Sequence, residues 1–95
     1  MANITTTTEW LKDPQAVLDW TWDWTTWLQP NEQLTSSAFA ATPGITIDSI
    51  SNSTNKATVW LSGGTPGIPY QVTNTITTNQ GRTDERSITI RVKDR

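Results

Sequence analysis

The stretch Trp20-Thr21-Trp22-Asp23-Trp24 decides the fold, because tryptophans alternate with short polar residues along it. A period of two is typical of an extended strand, in which successive side chains point to opposite faces. The three indoles are therefore predicted to share one face of a sheet, with Thr21 and Asp23 on the other face. Each indole offers about 150–250 Å² of contact surface. Complete burial of one ring then stabilises a fold by up to about 4–6 kcal/mol.

Other segments with strand character follow at short spacing and are separated by turn residues such as Pro43-Gly44 and Asn79-Gln80-Gly81. The predicted strands span residues 17–24, 33–41, 45–50, 56–61, 70–78 and 82–93. Threonine, which is β-branched and suits a pleated surface, is abundant along the chain. This pattern predicts an all-β immunoglobulin- or fibronectin-like β-sandwich of about seven short antiparallel strands.

The connection before the fifth predicted strand refines this expectation. Leu61 ends a strand, a crossing rich in glycine and proline follows, and Tyr70 opens the next strand. This order is typical of a tyrosine corner, in which the tyrosine hydroxyl bonds back to the backbone of the crossing. Val72 occupies the position where antibody domains carry a cysteine. The sequence has no cysteine, so the predicted sandwich has no disulfide.

The amino-acid composition limits the kinds of function that this protein can have. A chain of 95 residues without cysteine or histidine lacks the thiol nucleophile, the usual general base and the commonest metal ligands. We therefore expect that the protein is not an enzyme and that it binds neither a cofactor nor a metal ion. The net charge of −2 argues against a nucleic-acid partner. No apolar stretch reaches the length of about 18 residues that a membrane span needs, and the N-terminus shows no signal-peptide pattern.

Charge is divided unevenly along the chain. Residues 1–50 contain one basic and six acidic residues (−5), whereas residues 51–95 contain six basic and three acidic residues (+3). Either neighbouring strands of one sandwich neutralise each other, or an acidic end of one protein meets a basic end of another. Both alternatives stay open at the level of sequence.

The tryptophans and arginines are the candidate contact residues. Core packing and partner contact compete for each indole, and three indoles in five residues are many for one core layer. The set expected at a partner interface comprises Trp10, Trp22, Trp27, Arg82 and Arg86. The set expected to be structural comprises Trp20, Trp24, Trp60 and Tyr70. We expect residues 1–12 to form a flexible or partner-bound arm and residues 13–95 to form the domain.

Several segments in a fixed order carry a family resemblance. They are Asp13-Pro14-Gln15-Ala16-Val17-Leu18-Asp19-Trp20, Asp23-Trp24-Thr25-Thr26-Trp27-Leu28, Trp60-Leu61-Ser62-Gly63-Gly64-Thr65, Tyr70-Gln71-Val72-Thr73-Asn74 and Gly81-Arg82-Thr83-Asp84-Glu85-Arg86-Ser87. Together, over about residues 9–93, they resemble small structural proteins of tailed bacteriophages and prophages that are described as fiber-tail adaptors. Trp20 stands where the family commonly has tyrosine, and Trp22 replaces a smaller apolar residue.

The resemblance implies a non-enzymatic virion component in the tail region, assembled in the host cytoplasm and present in several copies. Such a module would link the tail or baseplate to a fibre or to a neighbouring tail protein, with no membrane partner. Three alternatives remain: a carbohydrate-binding module that aids host adhesion, a capsid decoration protein, and a small hydrolase that relies on carboxylates.

Overall fold

The computed structural model describes residues 2–4 and 9–93, and these residues form eight strands. The strands are β1 (Ala2–Ile4), β2 (Glu9–Lys12), β3 (Leu18–Asp23), β4 (Leu34–Ala41), β5 (Ile45–Asn52), β6 (Lys56–Gly63), β7 (Pro69–Thr78) and β8 (Thr83–Val92). None of the described residues belongs to a helix long and apolar enough to cross a membrane. The expected all-β fold without a disulfide is confirmed.

Two four-stranded sheets make up the fold. The first sheet has the order β1-β3-β6-β5, and the second has the order β2-β8-β7-β4. Most neighbours are antiparallel, as expected, but β1 runs parallel to β3 and β2 runs parallel to β8. Both exceptions are short strands at the edge of a sheet, where one chain segment adds alongside an existing strand.

The amino-terminal strands also change the expected domain boundary between residues 12 and 13. β2 pairs along its whole length with the end of β8, from Glu9 opposite Thr89 to Lys12 opposite Val92. Glu9–Lys12 therefore belongs to the second sheet rather than to an arm outside the domain. Residues 1 and 5–8 of the expected arm lie outside the described residues.

The six strands predicted from the sequence agree with β3 to β8 to within two residues at each end. A β-bulge between Leu34 and Ser36 interrupts the alternation in β4. Because the bulge adds one residue, Leu34 and Phe39 both contact the core, which strict alternation would not allow.

The core lies between the two sheets. Trp20, Trp22 and Trp24 all point inward, as their period of two predicts. The remaining buried apolar residues are Leu34, Ile45, Ala57, Val59, Leu61, Tyr70, Val72, Ile76, Ile88, Ile90 and Val92. Trp22 is 0% exposed, and its Nε1 donates to the carbonyl oxygen of Arg86 on the opposite sheet at 3.1 Å. Trp22 was expected at a partner interface, but its indole packs inside the described part of the chain.

The crossing between β6 and β7 contains the tyrosine corner. The backbone N–H of Thr65 donates to the Tyr70 hydroxyl at 2.8 Å, as predicted. Gly64 adopts φ +98°, and a Cβ at that position would lie 2.5 Å from Cγ2 of Val92. The corner thus requires glycine both for its left-handed backbone and for its close approach to β8.

Candidate functional site

Two tryptophans and two arginines meet at the end of the molecule formed by the segment between β3 and β4 and by the β7–β8 hairpin. We call Trp24, Trp27, Arg82 and Arg86 the arginine–tryptophan cluster. The two indoles pack edge to face, with centroids 5.3 Å apart and planes at 72°. The guanidinium carbon of Arg82 lies 4.0 Å from the ring centroid of Trp27, and that of Arg86 lies 4.2 Å from the centroid of Trp24. Each indole therefore has a guanidinium stacked on it.

A buried carboxylate fixes one of these arginines. Arg82 Nε donates to Glu32 Oε2 at 2.8 Å, and Arg82 Nη2 donates to Glu32 Oε1, so the pair is bidentate. The Thr78 hydroxyl donates to the same carboxylate at 2.7 Å, and the Gln29 N–H donates at 2.9 Å. The hydrogen bonds from Arg82 lower the pKa of Glu32 to about 2, and Glu32 in turn raises the pKa of Arg82. Both groups are therefore charged at neutral pH.

The second indole of the cluster is fixed from inside the core. Trp24 Nε1 donates to Asn74 Oδ1 at 3.0 Å. Asn74 Nδ2 donates in turn to the Ser37 hydroxyl at 2.9 Å and to the Ala38 carbonyl at 3.1 Å. Asn74 is completely buried, and these bonds satisfy its amide in an otherwise apolar core. They also connect Trp24, the residue that follows β3, to β7 and β4 of the other sheet.

An open depression of about 500 Å³ adjoins the cluster. Its lining residues are Thr25, Leu28, Gln29, Pro30, Asn31, Glu32, Gln33, Thr54 and Asn55. Hydroxyl and amide groups alternate there with the apolar Leu28 and Pro30, and the only carboxylate is the paired Glu32. Asn31 holds φ +65°, a conformation that asparagine tolerates better than most residues. The depression is therefore about half polar and half apolar, and it carries little net charge.

The structure brings together three of the five residues expected at an interface. Trp27, Arg82 and Arg86 lie in the arginine–tryptophan cluster. Trp10 is opposite Ile90 in β2 and packs against the core, and its buried Nε1 has no hydrogen-bond partner among the described residues. Trp22, as described above, is buried.

The expected structural set also needs one correction. Trp20, Trp24 and Tyr70 are buried. Trp60, however, is 41% exposed on the outer face of the first sheet. It alternates with the buried residues Val59 and Leu61, so its position in β6 directs the indole away from the core.

Sequence reasoning missed two polar residues of the site, Glu32 and Asn74. Glu32 lies outside any strand and 50 residues from Arg82, so no spacing connects the two. Asn74 did carry a signal, because it shares the inward phase of β7 with Val72 and Ile76. A polar residue at such a position requires a buried partner.

Lys12 is a third buried polar residue, at the opposite end of the molecule from the cluster. Its Nζ donates to the carbonyl oxygens of Asp13 at 2.9 Å and Gly63 at 2.8 Å, which joins β2 to β6. Burial lowers the pKa of this ammonium group, and the charges of Asp13 and Asp48 oppose the shift. The contacts are those of a side chain that holds the two sheets together.

The site offers no arrangement for metal chemistry. Nowhere in residues 2–4 and 9–93 do three or more carboxylates converge in a way that could hold a metal ion. Arg82 donates to Glu32 and to the carbonyl oxygen of Trp27, and Arg86 donates to the carbonyl oxygen of Asp23, so hydrogen bonds hold both guanidinium groups in place.

These features define a small all-β structural module with a preorganised cluster of arginine and tryptophan at one end. The family described as podophage GP4 fiber-tail adaptor protein gp77 matches residues 12–91, and the chain belongs to this family. The resemblance stated from the sequence is thereby confirmed. Membership implies a structural role, a place in the virion tail and contacts with other tail or fibre proteins. Comparison with curated proteins gave no match.

Proposed function

We propose that this chain links the tail or baseplate of the virion to a fibre or to a neighbouring tail protein through direct protein–protein contacts. The observation that carries the proposal is the arginine–tryptophan cluster beside the open depression. Tryptophan and arginine are the residues that most often dominate binding energy at protein interfaces. The module acts in several copies, is assembled in the host cytoplasm and has neither nucleic acid nor membrane as a partner.

The rigidity of the cluster supports this role. The Arg82 side chain keeps 35% of its surface exposed while Glu32 and Trp27 hold its guanidinium in place. A side chain that is already ordered loses little entropy when a partner binds, so less binding energy is lost to ordering. The cluster can thus present Arg82 to a partner in a fixed orientation.

We further propose that the two sheets form an immunoglobulin-like sandwich. The two amino-terminal strands divide between the sheets, and the Tyr70 corner closes the crossing between β6 and β7. Both features support an immunoglobulin-like topology. The parallel pairings of β1 with β3 and of β2 with β8 are the departures from an all-antiparallel arrangement.

The cluster favours a protein partner over a carbohydrate. A sugar-binding platform needs an indole face that is open to the ligand. In the cluster, Arg82 covers a face of Trp27 and Arg86 covers a face of Trp24. The depression itself is lined by amides, hydroxyls and aliphatic groups, without an aromatic ring.

Complementation of a phage that lacks this gene tests the proposal. Gln29→Arg places a long charged side chain at the exposed rim of the depression without changing a buried residue. We expect particles without fibres, although the purified variant keeps the parent's Tm. The matched control is Gln71→Arg, at an exposed position of β7 in the second sheet, which should give complete particles. If both variants gave complete particles, the end of the molecule that carries the cluster would not be the docking surface.

A further inference from the structure

Trp60 is the indole that the fold leaves most accessible among the described residues. It lies 41% exposed on the outer face of the first sheet, whereas Trp20, Trp22 and Trp24 are buried. Its neighbours follow from the strand register: Asp19 of β3 is opposite it on one side and Ser49 of β5 is opposite it on the other. Directly opposed residues have Cβ atoms about 4.5–5.5 Å apart. An acidic side chain therefore adjoins the exposed indole.

The carboxylate of Asp19 has no hydrogen bond or ion pair within the described part of the chain. The other acidic groups on this face are engaged. Asp23 accepts a hydrogen bond from the Thr25 hydroxyl at 2.6 Å, and Asp48 accepts one from the Ser62 hydroxyl at 3.0 Å. With Lys56 as the one basic residue among these strands, β3, β5 and β6 carry net negative charge. A cationic partner is electrostatically favoured there.

The arginine–tryptophan cluster shows what can complete such a pair. There an indole and a carboxylate, Trp27 and Glu32, bind one guanidinium between them. Trp60 and Asp19 offer the same two groups without a guanidinium. The described arginines are all engaged elsewhere. Arg82 pairs with Glu32, Arg86 stacks on the Trp24 ring, and Arg91 pairs with Glu9 at 2.7 Å.

We propose that Trp60 and Asp19 form a docking site for an arginine side chain of a neighbouring virion protein. Arginine suits the site better than lysine, because its planar guanidinium stacks on an indole while its N–H groups donate to a carboxylate. That the neighbour is a virion protein rests on the proposed adaptor role, whereas the binding of an arginine side chain does not. The site gives the molecule a second contact surface, on the outer face of the first sheet and apart from the arginine–tryptophan cluster, as a linker between two partners requires.

The test is a titration in solution that does not depend on the virion. The probe is the peptide acetyl-Gly-Arg-Gly-amide, with acetyl-Gly-Lys-Gly-amide as its matched control. The ¹H–¹⁵N spectrum resolves the indole N–H groups of the six tryptophans, and Trp60→Phe assigns the resonance of interest. We expect the arginine peptide to shift this resonance with a Kd in the millimolar range, and the lysine peptide to shift it less.

Asp19→Asn should weaken the binding of the arginine peptide about fivefold, the upper range for an exposed ion pair. Glu85→Gln removes one negative charge from the second sheet and should leave the binding unchanged. A resonance that does not move, that responds equally to lysine, or that keeps its response in Asp19→Asn would overturn the proposal. A response to N-acetylglucosamine instead would make Trp60 a sugar platform, and a shift on dilution alone would make the occupant a second copy. Either result would also overturn it.

Discussion

Arg82 and Glu32 show how a single contact orders a segment that has no regular structure of its own. Their side chains join residues 50 positions apart, and Glu32 also accepts the N–H of Gln29 and the hydroxyl of Thr78. The carboxylate thereby connects the segment between β3 and β4 to the β7–β8 hairpin. Glu32 lines the neighbouring depression itself, and it also holds the guanidinium that stacks on Trp27.

The lowered pKa of Glu32 leads to a prediction about the stability of the fold in acid. Its folded pKa of about 2 lies below its ordinary value of 4.5. A carboxyl group with a depressed folded pKa stabilises the fold above the unfolded pKa, and this contribution is lost as the pH falls through the folded pKa. Stability should therefore decrease as the pH falls from about 4.5 to about 2. Glu32→Gln should lower the Tm at pH 7 and flatten the dependence of Tm on pH over that window.

The control for this prediction is Glu9→Gln. Glu9 pairs with Arg91, but both side chains of that pair are about half exposed, and exposed pairs contribute little. Its Tm should stay near that of the parent across the same pH range. An identical acid profile for Glu32→Gln and the parent would contradict the role assigned to Glu32.

Trp22 and Trp60 provide a second test at the scale of single residues. Trp22 was expected at an interface and is buried, whereas Trp60 was expected to be structural and is exposed. Trp22 is 0% exposed and Trp60 is 41% exposed. Trp22→Ala should destabilise the fold by about 3–5 kcal/mol, the usual cost of emptying a buried aromatic site. Trp60→Ala should cost about 1 kcal/mol. Urea denaturation measures both, and a similar loss in the two variants would show that the burial of Trp22 is wrong.

These two residues also show what the sequence does and does not determine. The alternation around Trp22 already placed it on the same face as Trp20 and Trp24. The alternation of β6 already placed Trp60 on one face of the strand and Val59 and Leu61 on the other. Period alone does not say which face a second sheet will cover. That depends on long-range packing, so the assignment of single indoles to core or surface required the three-dimensional structure.

At the scale of elements, strands β3 to β8 could be predicted because each carries several alternating residues between turn signals. Strands β1 and β2 could not, because they contain only three and four residues. A period of two is not recognisable over so short a length. They pair with the edges of β3 and β8, which lie far from them in the sequence or beyond a turn.

The crossing between β6 and β7 gives a prediction at this scale. Gly64 and Gly67 both have positive φ, at +98° and +87°. A Cβ on Gly64 would also lie 2.5 Å from Val92, whereas a Cβ on Gly67 would meet nothing within 4 Å. Gly67→Ala should therefore cost about 1 kcal/mol of backbone strain, and Gly64→Ala should cost about 3 kcal/mol because overpacking is added. Thermal unfolding of the two variants distinguishes them, and equal values would contradict the close approach of β8.

At the scale of the whole molecule, the division of charge between the two halves of the sequence is in part neutralised within the fold. Two ion pairs of the described residues, Glu32–Arg82 and Glu9–Arg91, each join an acidic residue of the first half to a basic residue of the second. This is the first of the two alternatives left open by the sequence.

A cryo-EM map of the phage particle that carries this module would show whether it connects the tail to a fibre or to a neighbouring tail protein. We expect density for the two-sheet module at the junction of tail and fibre, with the arginine–tryptophan cluster against a neighbouring chain. Density on the capsid shell, or no density for the module in the mature particle, would show that the proposed linking role is wrong.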